Sequence, residues 1–251
     1  MYKRQRRHAA RIDVHGAGRV GALAATLLTH AGIGELRVND AAPLRAVDVP
    51  AAWARSAPAD ASAQPSRADV TLDVCEQLAP SLRTSRRRPR AATAGSTVRP
   101  DVVLVAPVDT AGTVDLELRN TLVRDGTPHL AAYVRETVGV IGPLVIPGAT
   151  PCLRCIDLAR TDLDADWPRV LAQLDRPVRS TRRGPRPPVT PDACDGVLAA
   201  AVAAQATAQV LAVVDDLHTM PPGTSVEIDL TDGLTRCRRW QVHPACGCTW
   251  T

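Results

Sequence analysis

An α/β fold built on a mostly parallel sheet is predicted by three features of this sequence. Strand and helix signals alternate through the first half, a glycine turn follows the first strand signal, and two spaced cysteine pairs lie far apart in the second half. With 251 residues, 45% of them hydrophobic, the chain can bury one sizeable core, and its length does not require two domains.

Residues 11–15 (RIDVH) give a short strand signal that runs into Gly16-Ala17-Gly18-Arg19-Val20-Gly21, and residues 22–31 continue with helix-forming composition. Gly32 and Gly34 stop that helix. Residues 35–39 (ELRVN) form a second strand ending at Asp40, which completes a βαβ unit. Residues 41–65, rich in Ala and Pro without a period, read as a loop. A helical pattern returns over 67–82 through Val70, Val74 and Leu78; residues 85–99 read as a basic linker, and 101–106 (DVVLVA) as a buried strand. A helix over 114–123 and a strand over 129–134 complete the alternation. It implies a Rossmann-like sheet with helices on both faces.

The second half changes character. Residues 138–146 are β-branched but interrupted by Gly139, Gly142 and Pro143, as where a strand bends or meets another backbone. Cys152-Leu153-Arg154-Cys155 follows, then a helix from Ile156 and a basic, Pro-rich loop ending near Pro191. Asp192 is placed to cap a long apolar helix over 193–214. Strands over 225–230 and 235–242 lead to Cys246-Gly247-Cys248.

Glycines at such a turn let a phosphate or a neighbouring helix approach the backbone, while helix amides face the anion. Gly16, Gly18 and Gly21 therefore make a candidate cofactor turn. Asp40, about 20 residues on, stands where a carboxylate accepts hydrogen bonds from ribose hydroxyls. The same turn also serves a scaffold that binds nothing. Cys152, Cys155, Cys246 and Cys248 supply four thiolates, the number that closes a tetrahedral structural zinc, with Gly247 permitting a tight terminal turn. The alternatives are a redox-active CxxC or unrelated buried thiols, and this CxxC lies far from any thioredoxin-like first βαβ unit.

Cys194, at the start of the long helix, is a candidate nucleophile if the helix dipole lowers its pKa, or else an idle thiol. Cys75 and Cys237 read as packing residues. Asp101 and Asp109 bracket a strand where a nucleotide or magnesium can bind, and strand-end capping explains them equally well.

The net charge of +4 comes from arginines clustered in nonperiodic stretches, and the chain has no Phe, two Tyr and four Trp. A nucleic-acid reader would need a basic stripe on a regular element, often with aromatic platforms. The apolar run at 197–214 is broken by Gln205, Thr207 and Gln209 and reads as a buried helix rather than a membrane span. Seven cysteines without a signal peptide suit a reducing cytoplasm. The opening MYKRQ is what a sequencing-adapter sequence after a start codon would encode, so residues 1–10 are expected to be a non-native or truncated tail. Residues 11–251 then form one domain, with a Rossmann-like half at 11–135 and a zinc-bearing half at 136–251.

On these residues the chain resembles the ThiF/MoeB/HesA superfamily of ubiquitin-activating-enzyme-like adenylyltransferases. The likeness is carried by HGAGRVG, AGIGELRVND, DVVLVAP, GTPHLAAYVRE, and CLRC paired with a late cysteine pair. GVIGPLVIPGATPCLRCIDLARTDLDADWP and the terminal HPACGC resemble the actinobacterial branch associated with thiazole/oxazole-modified microcin maturation. The resemblance implies ATP- and magnesium-dependent adenylation of a peptide or small carrier-protein C-terminus by a homodimer. In the microcin branch it implies a scaffold that presents a leader peptide to a YcaO-type cyclodehydratase.

Residue by residue, the glycine turn and Asp40 match, as do Arg119 and Asn120. The family's triphosphate-binding Arg falls near Ala51, its companion Lys near Ser66 or Arg67, and its magnesium-binding Asp at Val108, with Asp109 one place late. Missing cations opposite a triphosphate imply weakened adenylation, because preorganised positive charge stabilises nucleotidyl transfer. Asp109, Arg119 and Cys194 remain the catalytic candidates, and Arg67 and Asn120 join the cofactor set. The basic loop at 176–186 takes the place of the family's crossover loop and suits an acidic leader peptide. A nicotinamide-dependent oxidoreductase rests on the glycine signature and Asp40 alone.

Overall fold

The structure is a computed structural model that describes residues 2–45, 48, 65–86, 99–108, 113–174, 194–217 and 220–249. In chain order its elements are α1 (Tyr2–Ala9), β1 (Arg11–His15), α2 (Arg19–His30), β2 (Glu35–Asn39), α3 (Arg67–Leu78), β3 (Arg83–Arg86), β4 (Val102–Val105), α4 (Leu116–Arg124), β5 (His129–Arg135), β6 (Val138–Val145), α5 (Leu153–Leu163), α6 (Trp167–Leu174), α7 (Gly196–Val214), β7 (Thr224–Asp229) and β8 (Thr235–Arg239).

All eight strands join one sheet in the order β3-β2-β1-β4-β5-β6-β7-β8. The pairs from β3 to β5 are parallel and those from β5 to β8 antiparallel. At the centre of the sheet, β4 (VVLV) is apolar and buried throughout because both of its faces are covered. On one face Ile12, Val14, Leu36 and Leu104 pack with Leu28 of α2, Leu72 of α3 and Val202 of α7. On the other, Val103 and Val105 meet Leu122 of α4. Helix α2 is apolar nearly all round because α7 covers its far side.

The apolar run expected to be a buried helix is α7. It is long and apolar enough to cross a membrane, yet Leu198, Val202, Ala206 and Val210 are fully packed in the core. Gly139 of β6 lets it approach, since a Cβ there would lie 2.3 Å from Val202 Cγ2.

Several expected boundaries move. Helix α3 ends at Leu78, and the expected basic linker begins within β3, whose polar residues suit an edge strand. Helix α5 starts at Leu153, so Cys155 lies in its first turn. The cap of α7 is Asp195, which accepts from the Val197 and Leu198 amides, rather than Asp192, which falls outside the described residues. The expected tail forms α1 over residues 2–9, where Arg7 reaches Asp215 at 2.6 Å and its carbonyl accepts from the Gly34 amide.

Candidate functional site

Strand order reverses between β1 and β4, where open α/β sheets bind ligands at their carboxyl ends. His15 is level with Asn39 on β2 and Val105 on β4, and the glycine turn begins there, with the Gly16 amide donating to the Asn39 carbonyl at 3.0 Å. Close backbone packing requires glycine at two of its positions. A Cβ on Gly16 would lie 1.9 Å from the Ala106 carbonyl oxygen, and one on Gly21 would lie 1.9 Å from that of Gly16. Gly18 has another neighbour. The Val108 side chain lies over it, with Cγ2 2.9 Å from where its Cβ would stand.

Asp40 closes the site beside β2. Its Oδ2 accepts from the Ala17 amide and Arg67 Nε, both at 2.8 Å, and its Oδ1 accepts from the Ala42 amide at 3.1 Å and Arg67 Nη2 at 3.2 Å. A carboxylate offers about four acceptor positions, so those of Asp40 are taken. Arg67 is likewise engaged: its guanidinium is buried and also reaches Asp48 at 3.4 Å. At the entry to α2, Arg19 Nη1 donates to the carbonyl of Cys194, at 2.5 Å, which brings that half-buried cysteine beside the turn.

Other expected residues lie elsewhere. Asp101 sits at the amino end of β4, where its carboxylate accepts from the Arg11 amide at 2.8 Å; capping is its role, and it does not face the ligand end of the sheet. Cys237, expected to pack, is exposed because β8 is an edge strand whose residues are all exposed, whereas Cys75 is fully buried as expected. Asp109, Ala51 and residues 176–186 lie outside the described residues. Arg119 and Asn120 line a cavity beside the cysteine cluster, and Arg119 Nη1 pairs with Asp157 at 2.5 Å. Sequence reading missed the wall beyond Asp157, where the Arg160 guanidinium lies 4.7 Å from the Trp167 ring and 5.5 Å from that of Trp240.

The four cysteines meet as expected. Cys152 caps α5, Cys155 sits one turn on, and the terminal loop brings Cys246 and Cys248 over them. The sulfur separations are 3.9 Å for Cys152 and Cys155, 3.5 Å for Cys152 and Cys246, and 3.4 Å for Cys155 and Cys248, and all four sulfurs lie within 4.8 Å of one another. Tetrahedral zinc with ~2.3 Å bonds places its sulfurs ~3.8 Å apart, so the donor set fits such an ion.

Burial is the first reason that the thiols of Cys152, Cys246 and Cys248 are pushed up to about 11; the neighbouring sulfurs act on each as well. Burial also opposes ionisation of Cys155, but hydrogen bonding by the backbone of His243 and Cys152 and by the neighbouring thiols outweighs it and lowers its pKa. Four thiolates can share this space only with a cation to balance them.

A ThiF family profile matches residues 2–248. Among solved structures, E. coli MccB with ATP is 16% identical with a TM-score of 0.72, covering 99% of this chain and 68% of that one. The microcin C7 biosynthetic enzyme MccB in complex with N-formylated MccA is 15% identical with a TM-score of 0.71, at 99% and 70% coverage. PaaA is 14% identical with a TM-score of 0.64, at 94% and 75% coverage. No curated protein gives a significant sequence match.

Proposed function

This chain belongs to the ThiF family, and from that premise we propose that it binds a precursor peptide in ribosomal peptide maturation, its own adenylation chemistry being reduced. The observation that carries the reading is the engagement of Asp40. The carboxylate that would hold a ribose already accepts from two backbone amides and a buried guanidinium. Val108 stands where the resemblance expects a magnesium-binding Asp and lies on Gly18 rather than leaving it open to a phosphate. The residues at the switch point therefore fit ATP and magnesium poorly.

MccB, which shares the fold, has been solved with the peptide MccA, and this supports a peptide as the ligand. In this reading zinc fills the four-cysteine site as a structural ion in a reducing cytoplasm, the chain works as a homodimer, and a YcaO-type cyclodehydratase acts on the peptide it holds. A scaffold that binds no nucleotide at all is the second reading, favoured by the packing of Val108 on Gly18.

ATP–pyrophosphate exchange, run with calorimetric titration of ATP and magnesium and with a short Cys/Ser/Thr-rich precursor peptide, tests the proposal. Peptide binding with little or no exchange is expected. Rapid peptide-dependent exchange would restore a working adenylyltransferase and overturn the reduced-chemistry reading.

A further inference from the structure

A cleft of about 70 Å³ lies between the sheet and the helix pair α5 and α6. Alternate residues of β5, Tyr133 and Arg135 among them, share its floor with Ser225 and Glu227 of β7. Arg160 of α5 and Trp167 of α6 form its roof, and Trp240, just after β8, closes one side. Small-molecule sites usually enclose ~300–1,000 Å³, so this cleft suits a single side chain better than a nucleotide.

Its charges do not balance. The lining holds three arginines, Arg119, Arg135 and Arg160, and two carboxylates, Asp157 and Glu227. Asp157 is taken by Arg119 at 2.5 Å, and Glu227 by Arg238 at 3.3 Å. Among the described residues, no acceptor pairs with the guanidinium of Arg135 or of Arg160. Both side chains are half-buried.

Arg160 is nonetheless held in place. Its guanidinium lies 4.7 Å from the centre of the Trp167 ring and 5.5 Å from that of Trp240. Each ring is anchored by its own indole N–H, which donates to Asp157 Oδ1 at 3.4 Å in Trp167 and to Ser225 Oγ at 2.9 Å in Trp240. A ring attracts a guanidinium through its charge and spends none of its N–H donors. The side chain is thus ordered before any ligand arrives, with its donors free. A carboxylate fits that fork with both oxygens. The apolar part of the lining, Ile156, Leu171 and Leu174, suits the methylenes of an acidic side chain, which an inorganic anion lacks.

We propose that this cleft reads an acidic side chain of the bound peptide, with Arg160 as the fork that holds its carboxylate and Arg135 as the second positive charge. That the ligand is a peptide rests on the reading above; the carboxylate assignment rests on the cleft alone.

The test is an NMR titration of the ¹⁵N-labelled chain, followed at the indole N–H resonances of Trp167 and Trp240. The probes are a capped octapeptide of Asp, Glu and Gly, its Asn/Gln counterpart, glutarate and inorganic phosphate. The acidic peptide is expected to shift both resonances and to bind on the order of tenfold more tightly than its counterpart. Arg160→Gln is expected to lose most of that preference, whereas an arginine that only packs α6 against α5 would lower stability and leave the preference alone. Should that variant fold poorly, Arg135→Gln on the floor should still reduce the preference severalfold. A preference that survives both substitutions, or equal binding of the two peptides, would overturn the carboxylate assignment while leaving peptide binding intact. Phosphate shifting both resonances as strongly as glutarate would overturn it as well. Glutarate shifting both while neither peptide binds would uphold the carboxylate site and overturn the peptide-binding reading, and no shift with any probe would overturn both.

Discussion

The sulfur of Cys152, at the cap of α5, lies 3.5 Å from that of Cys246, 94 residues further along the chain. This contact holds the terminal loop over the helix start, and Cys155 and Cys248 repeat it at 3.4 Å. Among the described residues, the loop beyond Trp240 is also held by His243, whose Nε2 lies 2.8 Å from the Asp162 carboxylate. Cys246→Ser is therefore expected to free the tail for proteolysis near residue 240 while leaving β1 to β5 folded. Limited proteolysis with mass analysis checks this, and a tail cut no faster than in the parent would count against a shared ion.

The glycine turn should separate two kinds of constraint. Gly16→Ala places a Cβ on the Ala106 carbonyl in a backbone with φ of +92°, and is expected to cost about 3 kcal/mol or more. Gly18→Ala meets first the Val108 side chain, which can give way, and should cost about 1 kcal/mol. Adding Val108→Ala should restore the approach that Gly18→Ala blocks. Urea unfolding of the three variants decides it; a double variant with no coupling between the sites would show that Val108 does not rest on the turn.

Arg7 and Asp215 give the acid limb a definite sign. Hydrogen bonding from Arg7 lowers the Asp215 pKa below 3.8, against the opposing effect of burial. The unfolded chain then binds the proton more readily, so the pair's contribution is complete above the ordinary carboxylate value and is lost as pH falls through the lower native one. Asp215→Asn should accordingly flatten the fall in unfolding midpoint as pH drops below the ordinary carboxylate value. Identical acid limbs would mean that the pair contributes nothing there.

Much of this fold is legible in residue pattern, and the exceptions have physical causes. VVLV reads as a strand because a central parallel strand buried on both faces is apolar throughout, and RIDVH and ELRVN because apolar and polar residues alternate along them. RTSR does not, since an edge strand needs no apolar run. Two aspartates stand near the start of α7, and spacing alone does not choose Asp195 over Asp192. The cysteine cluster is legible because ligand number and spacing are themselves the chemistry. The saturation of Asp40 by Arg67, the cover of Val108 over Gly18 and the contact of Arg160 with Trp167 and Trp240 all join separate elements, and no local pattern records them.

Asp195 also offers a check on the long helix. Its carboxylate accepts from two amides of the first turn at 2.8 Å, so Asp195→Ala should lower stability by about 1 kcal/mol, whereas Asp195→Asn should lower it less. Thermal unfolding of both variants measures this, and equal losses would argue against capping.

The claim on which the rest depends is that four distant thiolates hold one ion. Metal content per chain, measured by native mass spectrometry after purification under reducing conditions, tests it most directly. One zinc per chain is expected, lost when Cys152, Cys155, Cys246 and Cys248 are all replaced by serine. A metal-free parent chain, as well folded as the serine variant, would contradict it.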